Sequence, residues 1–408
     1  MKLLGNSGEK IPKLSLLFLG SLCLLFLVAE IINNRFWLSD FEVYYNAAKR
    51  ILHSENLYRI QSDGHYIFKY SPTSAVYFIP FTLLPFEIAK YIYWILLSFI
   101  IVSAFYVSVK LLSFYKPCSK LNAIVFAGSV ILAIHYLREL HLGQVNYVLL
   151  FLYILSIYFY IENKTIYYSA VLAISIFIKP FTLLFIPYLI LKKKYKELMW
   201  FFAFCIVLAL VPFLFYGTIE TTLNQYAMWI NELKIELSHK QGLLNYSNHT
   251  IFSVIARYSP LKYVEFNETT SRIYQMTLLI IIGINVIWFM KINDSIKNIE
   301  QQKFNSILEI SLLVSIIPLL AFTSENAFIF SQLLVFALLL NFQLLNKLEK
   351  IIAVLSFILI GGNFSELIGS DLSQRIDNLS LISVGVILLI VLLFKIRTRT
   401  KITPSSNF

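Results

Sequence analysis

Cysteine, charge and the glycine patterns of nucleotide folds are what this sequence has least of. Its three cysteines supply neither a disulfide framework nor a metal-ligand spacing: Cys23 and Cys205 sit within apolar runs, and Cys118 in a short basic loop. Charged residues make up 14% of 408 positions, apolar residues 58%, and mean hydropathy is +0.72, a balance that excludes an ordinary soluble domain. There is no G-x-G-x-x-G, no P-loop and no polar block long enough to build a fold for a cytosolic nucleotide sugar or ATP. What remains is an all-α polytopic membrane protein, read as a single integral membrane domain over 1–408.

Apolar segments lie near 14–33, 91–112, 121–136, 145–161, 199–216, 272–291, 306–323, 327–345, 350–368 and 379–395. Most reach the roughly 17–25 residues that cross a bilayer, which predicts about ten full spans. The first run is longer than the apolar core of a cleavable signal and no A-x-A site follows it, so it reads as a retained span. In such a chain the net charge of +11 reports orientation before it suggests nucleic acid, and no nucleic-acid partner is expected.

Lys2, Lys10 and Lys13 precede the first span and predict a cytoplasmic N-terminus. The same rule places Lys110, Lys116 and Lys120, Lys164, Lys291 with Lys297 and Lys303, Lys347 and Lys350, and the terminal KIRTRTK on the cytoplasmic side. One segment resists the count. A single helix from Thr165 would leave Lys179 at the bilayer centre and carry Lys192, Lys193, Lys194 and Lys196 outside. A re-entrant pair of half-helices over 166–191, turning at Lys179-Pro180, returns those lysines inside, and proline suits the break because it lacks an N–H. The plainer alternative is an ordinary span with a snorkelling lysine.

With that topology the polar material collects outside, in a first loop over 35–90 and a second over 217–271, so any chemistry belongs there with membrane-borne substrates. Within the first loop, WLSDFEVYYNAAKRIL begins with an S-x-x-E capping box, Ser39 with Glu42, which predicts a helix starting at Asp40. Tyr44, Ala47, Ala48, Ile51 and Leu52 then share one face, as in an amphipathic helix resting on the outer leaflet. Glu42 reads as a complement to the helix N-terminus. Asp40 differs, because it stands where the first span leaves the membrane, at the level of a lipid-linked substrate's reactive group.

Asp40-x-x-x-Tyr44, Asn56-Leu57-Tyr58, Phe68-Lys69-Tyr70-Ser71-Pro72 and Leu83-Leu84-Pro85 resemble the first outer loop of glycosyltransferase family 87. Gly143-Gln144-Val145-Asn146, Ile178-Lys179-Pro180, and Asn248-His249-Thr250 with Arg257 are similar to the family's G-Q-x-N, K-P and N-Q-S…R elements, in order over about 37–257. His249 stands where glutamine is usual, and Ser324-Glu325-Asn326 where the family tends to carry proline, tryptophan and histidine. Members are GT-C-type, polyprenyl-phosphate-mannose-dependent mannosyltransferases. The resemblance therefore implies transfer of a sugar, mannose by analogy, from a polyprenyl-phosphate donor to a glycan or glycolipid hydroxyl. It implies the extracytoplasmic face of a bacterial inner (plasma) membrane.

It further implies Asp40 as the base that takes the acceptor's proton. The cations expected at the donor phosphate are Arg257 and Lys179, then Lys69, Arg138 and His249. Tyr44, Tyr70, Gln144, Asn146 and Asn248 are expected at the substrate, where uncharged amides suit sugar hydroxyls. Plainer readings stand beside these: Asn146 as a helix cap, Arg138 with Glu139 as an interfacial pair, His141 and His249 as solvated loop residues. A retaining reaction needs a second carboxylate about 5–5.5 Å from the first. Asp40 and Glu42, two apart on a helix, do not face one another, which predicts inversion. No metal or separate cofactor is expected, the donor lipid being a substrate. The alternative is a transporter or flippase, and after it a scaffold. Of the breaks a transporter would need, the sequence supplies Lys179-Pro180 without a counterpart.

Overall fold

The computed structural model describes residues 11–64, 66–115, 118–238, 242–293, 298–322 and 324–400, the side chains of 236–238 excepted. Lys2, Lys10, Lys116, Lys297 and Lys401, used above for orientation, lie outside these residues. Among the described residues every regular element is helical and no strand occurs. The ten apolar runs all fall on helices, but six of those helices are long and apolar enough to cross a membrane. The count rises to seven if Leu121–Ile131 and Ala133–Leu142, bent by 59°, are one span. Among the described residues, six or seven helices thus have span length where about ten crossings are expected, and the other apolar runs form shorter helices. Helices such as Asn146–Ile161 and Glu325–Leu340 advance only about 1.5 Å per residue and fall short of a hydrocarbon core about 30 Å thick.

The chain folds as two compact units. Gly20–Ala104 with Leu137–Lys240 form one; the described residues of 1–19, 105–136 and 241–408 form the other.

In the first unit the helix Ser39–Leu52 is present, but its N-cap is Leu38, with left-handed backbone and no side-chain cap. Ser39 is already the first helical residue, which removes it from the capping-box position. Most of the apolar face does not lie open to lipid either: Phe41, Tyr44, Tyr45, Ala47, Ala48 and Ile51 are buried, and of the expected face only Leu52 is exposed. The neighbouring Pro72–Tyr77 helix and the Ile79–Leu83 turn cover this face.

The segment around Lys179 doubles back. The helix Thr165–Ile178 stops at Lys179, whose backbone is extended (φ −142°, ψ 137°), as a residue before proline prefers. Partners along the Asn146–Ile161 helix then trace the return path. Lys179 meets Asn146, Thr182 bonds Tyr153 at 3.1 Å, Phe185 stacks on Tyr153 and Tyr188 lies beside Tyr160. At the far end Lys164 and Lys194 lie over the neighbouring rings of Tyr158 and Tyr160. The carbonyl of Phe177, next to the break, accepts from Ser71 Oγ at 2.6 Å, and Ser71 also caps the Pro72–Tyr77 helix. A backbone acceptor at a break needs such a partner when water is excluded.

In the second unit Ile299–Leu320 is the most enclosed of the span-length helices, 89% of its apolar window being buried. The terminal basic run KIRTRTK is not uniformly exposed. Arg397 is fully buried, with Nη2 donating to Glu309 at 2.7 Å and to the Met290 carbonyl at 3.0 Å. Its Nε and Nη1 donate to the carbonyls of Ile292 and Asn305. A buried guanidinium is tolerable only with its donors matched in this way.

Candidate active site

Two left-handed residues set the frame of the site in the first unit. Leu38 has φ 48° and Gly143 φ +69°. A Cβ on Gly143 would stand 2.9 Å from Cβ of Phe41 and 3.1 Å from Cβ of Leu38, so glycine is what lets the 143–145 turn reach the start of the Asp40 helix. Phe41 stacks on Tyr93, ring centroids 4.2 Å apart, and the Tyr93 hydroxyl reaches the Gln144 carbonyl at 3.4 Å.

That close approach lays the Gln144 side-chain amide on the Asp40 carboxyl as a hydrogen-bond donor. Asp40 is half-buried. Loss of water pushes its carboxyl above the ordinary aspartate range, against the opposing pull of Gln144 and of the positive charges on Lys179 and Lys69. The outcome is a half-buried carboxylate more basic than a solvated aspartate, with cations nearby.

Behind it stands an ordered polar chain. Glu139 is fully buried; its Oε1 accepts from Asn146 Nδ2 at 2.6 Å and its Oε2 from the Asn146 backbone N–H at 3.1 Å. Asn146 Nδ2 also donates to Gln144 Oε1 at 2.8 Å, and Asn146 Oδ1 accepts from Lys179 Nζ at 2.7 Å. Asn146 is therefore not the cap of its helix: it is the first helical residue, and Glu139 receives the helix's leading N–H groups. Also within reach of the Asp40 charge, Tyr44 and Tyr70 share a hydrogen bond at 2.9 Å, with rings edge to face. The Tyr70 ring centroid lies 5.9 Å from Lys179 Nζ.

Of the residues singled out in the sequence, the structure brings together Asp40, Tyr44, Lys69, Tyr70, Gln144, Asn146 and Lys179. Arg138 is exposed and its neighbour Glu139 buried, so the two side chains lie on different faces of their helix. His141 bonds the buried Glu30 and is not a solvated loop residue. Glu42 is exposed. Glu139 and Tyr93 join the cluster without having been singled out for it. The signal at hand for Glu139 was an acid on an apolar helix shortly before G-Q-x-N.

Asn248, His249 and Arg257 gather in the second unit. Arg257 donates to the carbonyls of Asn378 at 2.7 Å, Asn248 at 3.1 Å and Tyr246 at 3.4 Å, and to Ser380 Oγ. Its terminal nitrogens thus hold two chain segments together. His249 is buried: Nδ1 meets Ser380 Oγ at 2.7 Å and Nε2 lies 3.2 Å from Glu325. The histidine that departs from the family pattern therefore contacts the glutamate of the other departing segment. Asn248 Oδ1 accepts from Thr250, whose hydroxyl caps the Ile251–Tyr258 helix. Among the described residues no three His, Cys, Asp or Glu side chains gather as a metal site.

No curated protein and no solved structure matches the chain. The family model of glycosyltransferase family 87 matches residues 68–315, which takes in Lys69, Tyr70, Glu139, Gln144, Asn146 and Lys179 and leaves Asp40 and Tyr44 just ahead of it. With more than half its length so matched, and with helices fit to cross a bilayer several times, this chain belongs to glycosyltransferase family 87 and is a membrane glycosyltransferase.

Proposed function

We propose that the enzyme moves a sugar, mannose by family analogy, from a polyprenyl-phosphate donor to a hydroxyl of a glycan or glycolipid, with inversion, at the extracytoplasmic face of the plasma membrane. The observation that carries this reading is the half-buried Asp40 carboxylate flanked by Lys179 and Lys69. An acceptor oxygen attacks the anomeric carbon as the bond from that carbon to the phosphate oxygen breaks. The acceptor's proton passes to Asp40, and the polyprenyl phosphate leaves with the bonding electron pair. A positioned base contributes about 10²–10⁴-fold to such a step.

Negative charge grows on the leaving phosphate, and Lys179 and Lys69 are the cations proposed to stabilise it. Arg257 and His249 are already engaged by carbonyls, Ser380 and Glu325, which supports a scaffolding role for them in the second unit. Tyr44, Tyr70 and the Gln144–Asn146 amides are proposed to border the sugar.

The test is donor consumption by purified protein in bilayers, supplied with labelled polyprenyl-phosphate mannose and a membrane glycolipid fraction. Label appearing in a new glycolipid, with release of polyprenyl phosphate, supports the reading. Movement of intact donor across the bilayer without cleavage overturns it in favour of a flippase.

A further inference from the structure

The polar chain behind Asp40 has a direction. A carboxylate only accepts and an ammonium only donates, whereas an amide can present either end. Glu139 therefore fixes the Asn146 side chain with Nδ2 inward, and Asn146 Oδ1 is left to accept from Lys179. The second hydrogen of Nδ2 fixes Gln144 with Oε1 toward Asn146, so the Gln144 amino group is what reaches Asp40. Reversing either amide alone would set a carbonyl against a carboxylate and an amino group against an ammonium or another amino group. Glu139 is anchored from outside this chain by the N–H groups of Asn146 and Tyr147 at the start of a helix, where negative charge is favoured.

We infer that Glu139 is a positioning residue: its acceptor-only carboxylate sets the hydrogen-bond direction that turns Asn146 toward Lys179 and Gln144 toward Asp40. The inference rests on the proposed transfer reaction. Glu139 touches neither donor nor acceptor; it acts through Asn146 on two groups with separate tasks, Lys179 at the phosphate and Gln144 at the base. A carboxylate so enclosed, within a few ångströms of both arms, controls them together.

The two arms can be separated. Glu139→Gln keeps size but supplies an amino group that must face Asn146 Nδ2 or the backbone N–H groups. The expected result is a kcat lower by about 100-fold, the loss that misplacing reacting groups brings, with a raised donor KM. Adding Asn146→Asp gives the new amide at position 139 an acceptor and returns a carboxylate oxygen to Lys179. Gln144 must then turn its amino group to residue 146 and present its carbonyl to Asp40. The double variant is therefore expected to recover the wild-type donor KM while kcat stays low. Melting temperature is measured alongside, with Glu42→Gln as the exposed-residue control. A purely structural role predicts that kcat and melting temperature fall and donor KM rises together, and that the second substitution does not split them; that outcome, or wild-type kinetics in Glu139→Gln, overturns the inference. A wild-type protein that leaves the lipid-phosphate donor uncleaved overturns the functional reading instead, and this role with it.

Discussion

Burial and hydrogen bonding act on Asp40 in opposite directions, and burial is the larger. A carboxyl with a folded pKa above its unfolded one makes no difference to stability while both states are protonated. It lowers stability as pH rises past the unfolded value, and the full loss is present above the folded value. Asp40→Asn is therefore expected to melt at a higher temperature than wild type at pH 7, the difference closing as the pH is lowered below the ordinary aspartate range. Melting curves at several pH values check this; equal or lower stability of the variant at pH 7 would remove burial as the dominant influence. Transfer by wild type should fall as pH drops through the raised pKa, since the base is then protonated. At Lys179 the expectation concerns the donor: Lys179→Ala loses a charge-assisted partner worth about 1.5–3 kcal/mol, so donor KM should rise roughly tenfold or more. An unchanged KM would remove Lys179 from the phosphate.

Helices and turns decide where these residues stand. Gly143→Ala adds a Cβ against Phe41 and Leu38 at a left-handed position, so it should push the Gln144 turn away from Asp40. Strain of about 1–3 kcal/mol is expected at such a residue, and a fall in both melting temperature and kcat checks it. The return path of 180–191 makes a second prediction. Single cysteines replacing Lys164 and Lys194 should be labelled from the same side of the membrane; labelling from opposite sides would mean that 165–191 crosses as one span. The break at Lys179-Pro180 was legible because a lysine beside a proline in an apolar run is a local signal, as was the G-Q-x-N turn. Glu139 was not legible in its role, because its partners stand seven and eight residues on, across a turn whose shape depends on Leu38 and Phe41. The capping box misled for a related reason: the cap residue is Leu38, which lies against Gly143 of a distant turn, a contact that the spacing of Ser39 and Glu42 does not encode.

For the whole molecule, composition told the class correctly, since hydrocarbon in such excess leaves only a membrane or a very large core as its place. Composition alone does not distinguish lipid-facing helices from buried ones. Apolar runs such as 145–161 and 327–345 look alike whether they meet lipid or other helices, and Gln332–Leu340 is almost wholly buried. Arg397 illustrates the same limit for charge. Counted as a cytoplasmic marker, it is also the buried partner of Glu309, which the count of charges does not reveal. Arg397→Ala should lower the stability of its unit by about 3–5 kcal/mol by stranding Glu309. Replacing both residues with apolar ones of similar volume should restore much of the loss, and melting curves of the two variants in detergent check it.

A single carboxylate, Asp40, is proposed to take the acceptor's proton in sugar transfer from a polyprenyl phosphate. Its most direct test is the transfer rate of Asp40→Asn beside wild type, in bilayers with labelled polyprenyl-phosphate mannose, with lipid donor binding measured on the same preparations. Transfer is expected from wild type, with a loss of about 10²-fold or more in the variant and donor binding nearly unchanged. Transfer by Asp40→Asn at a substantial fraction of the wild-type rate would contradict it.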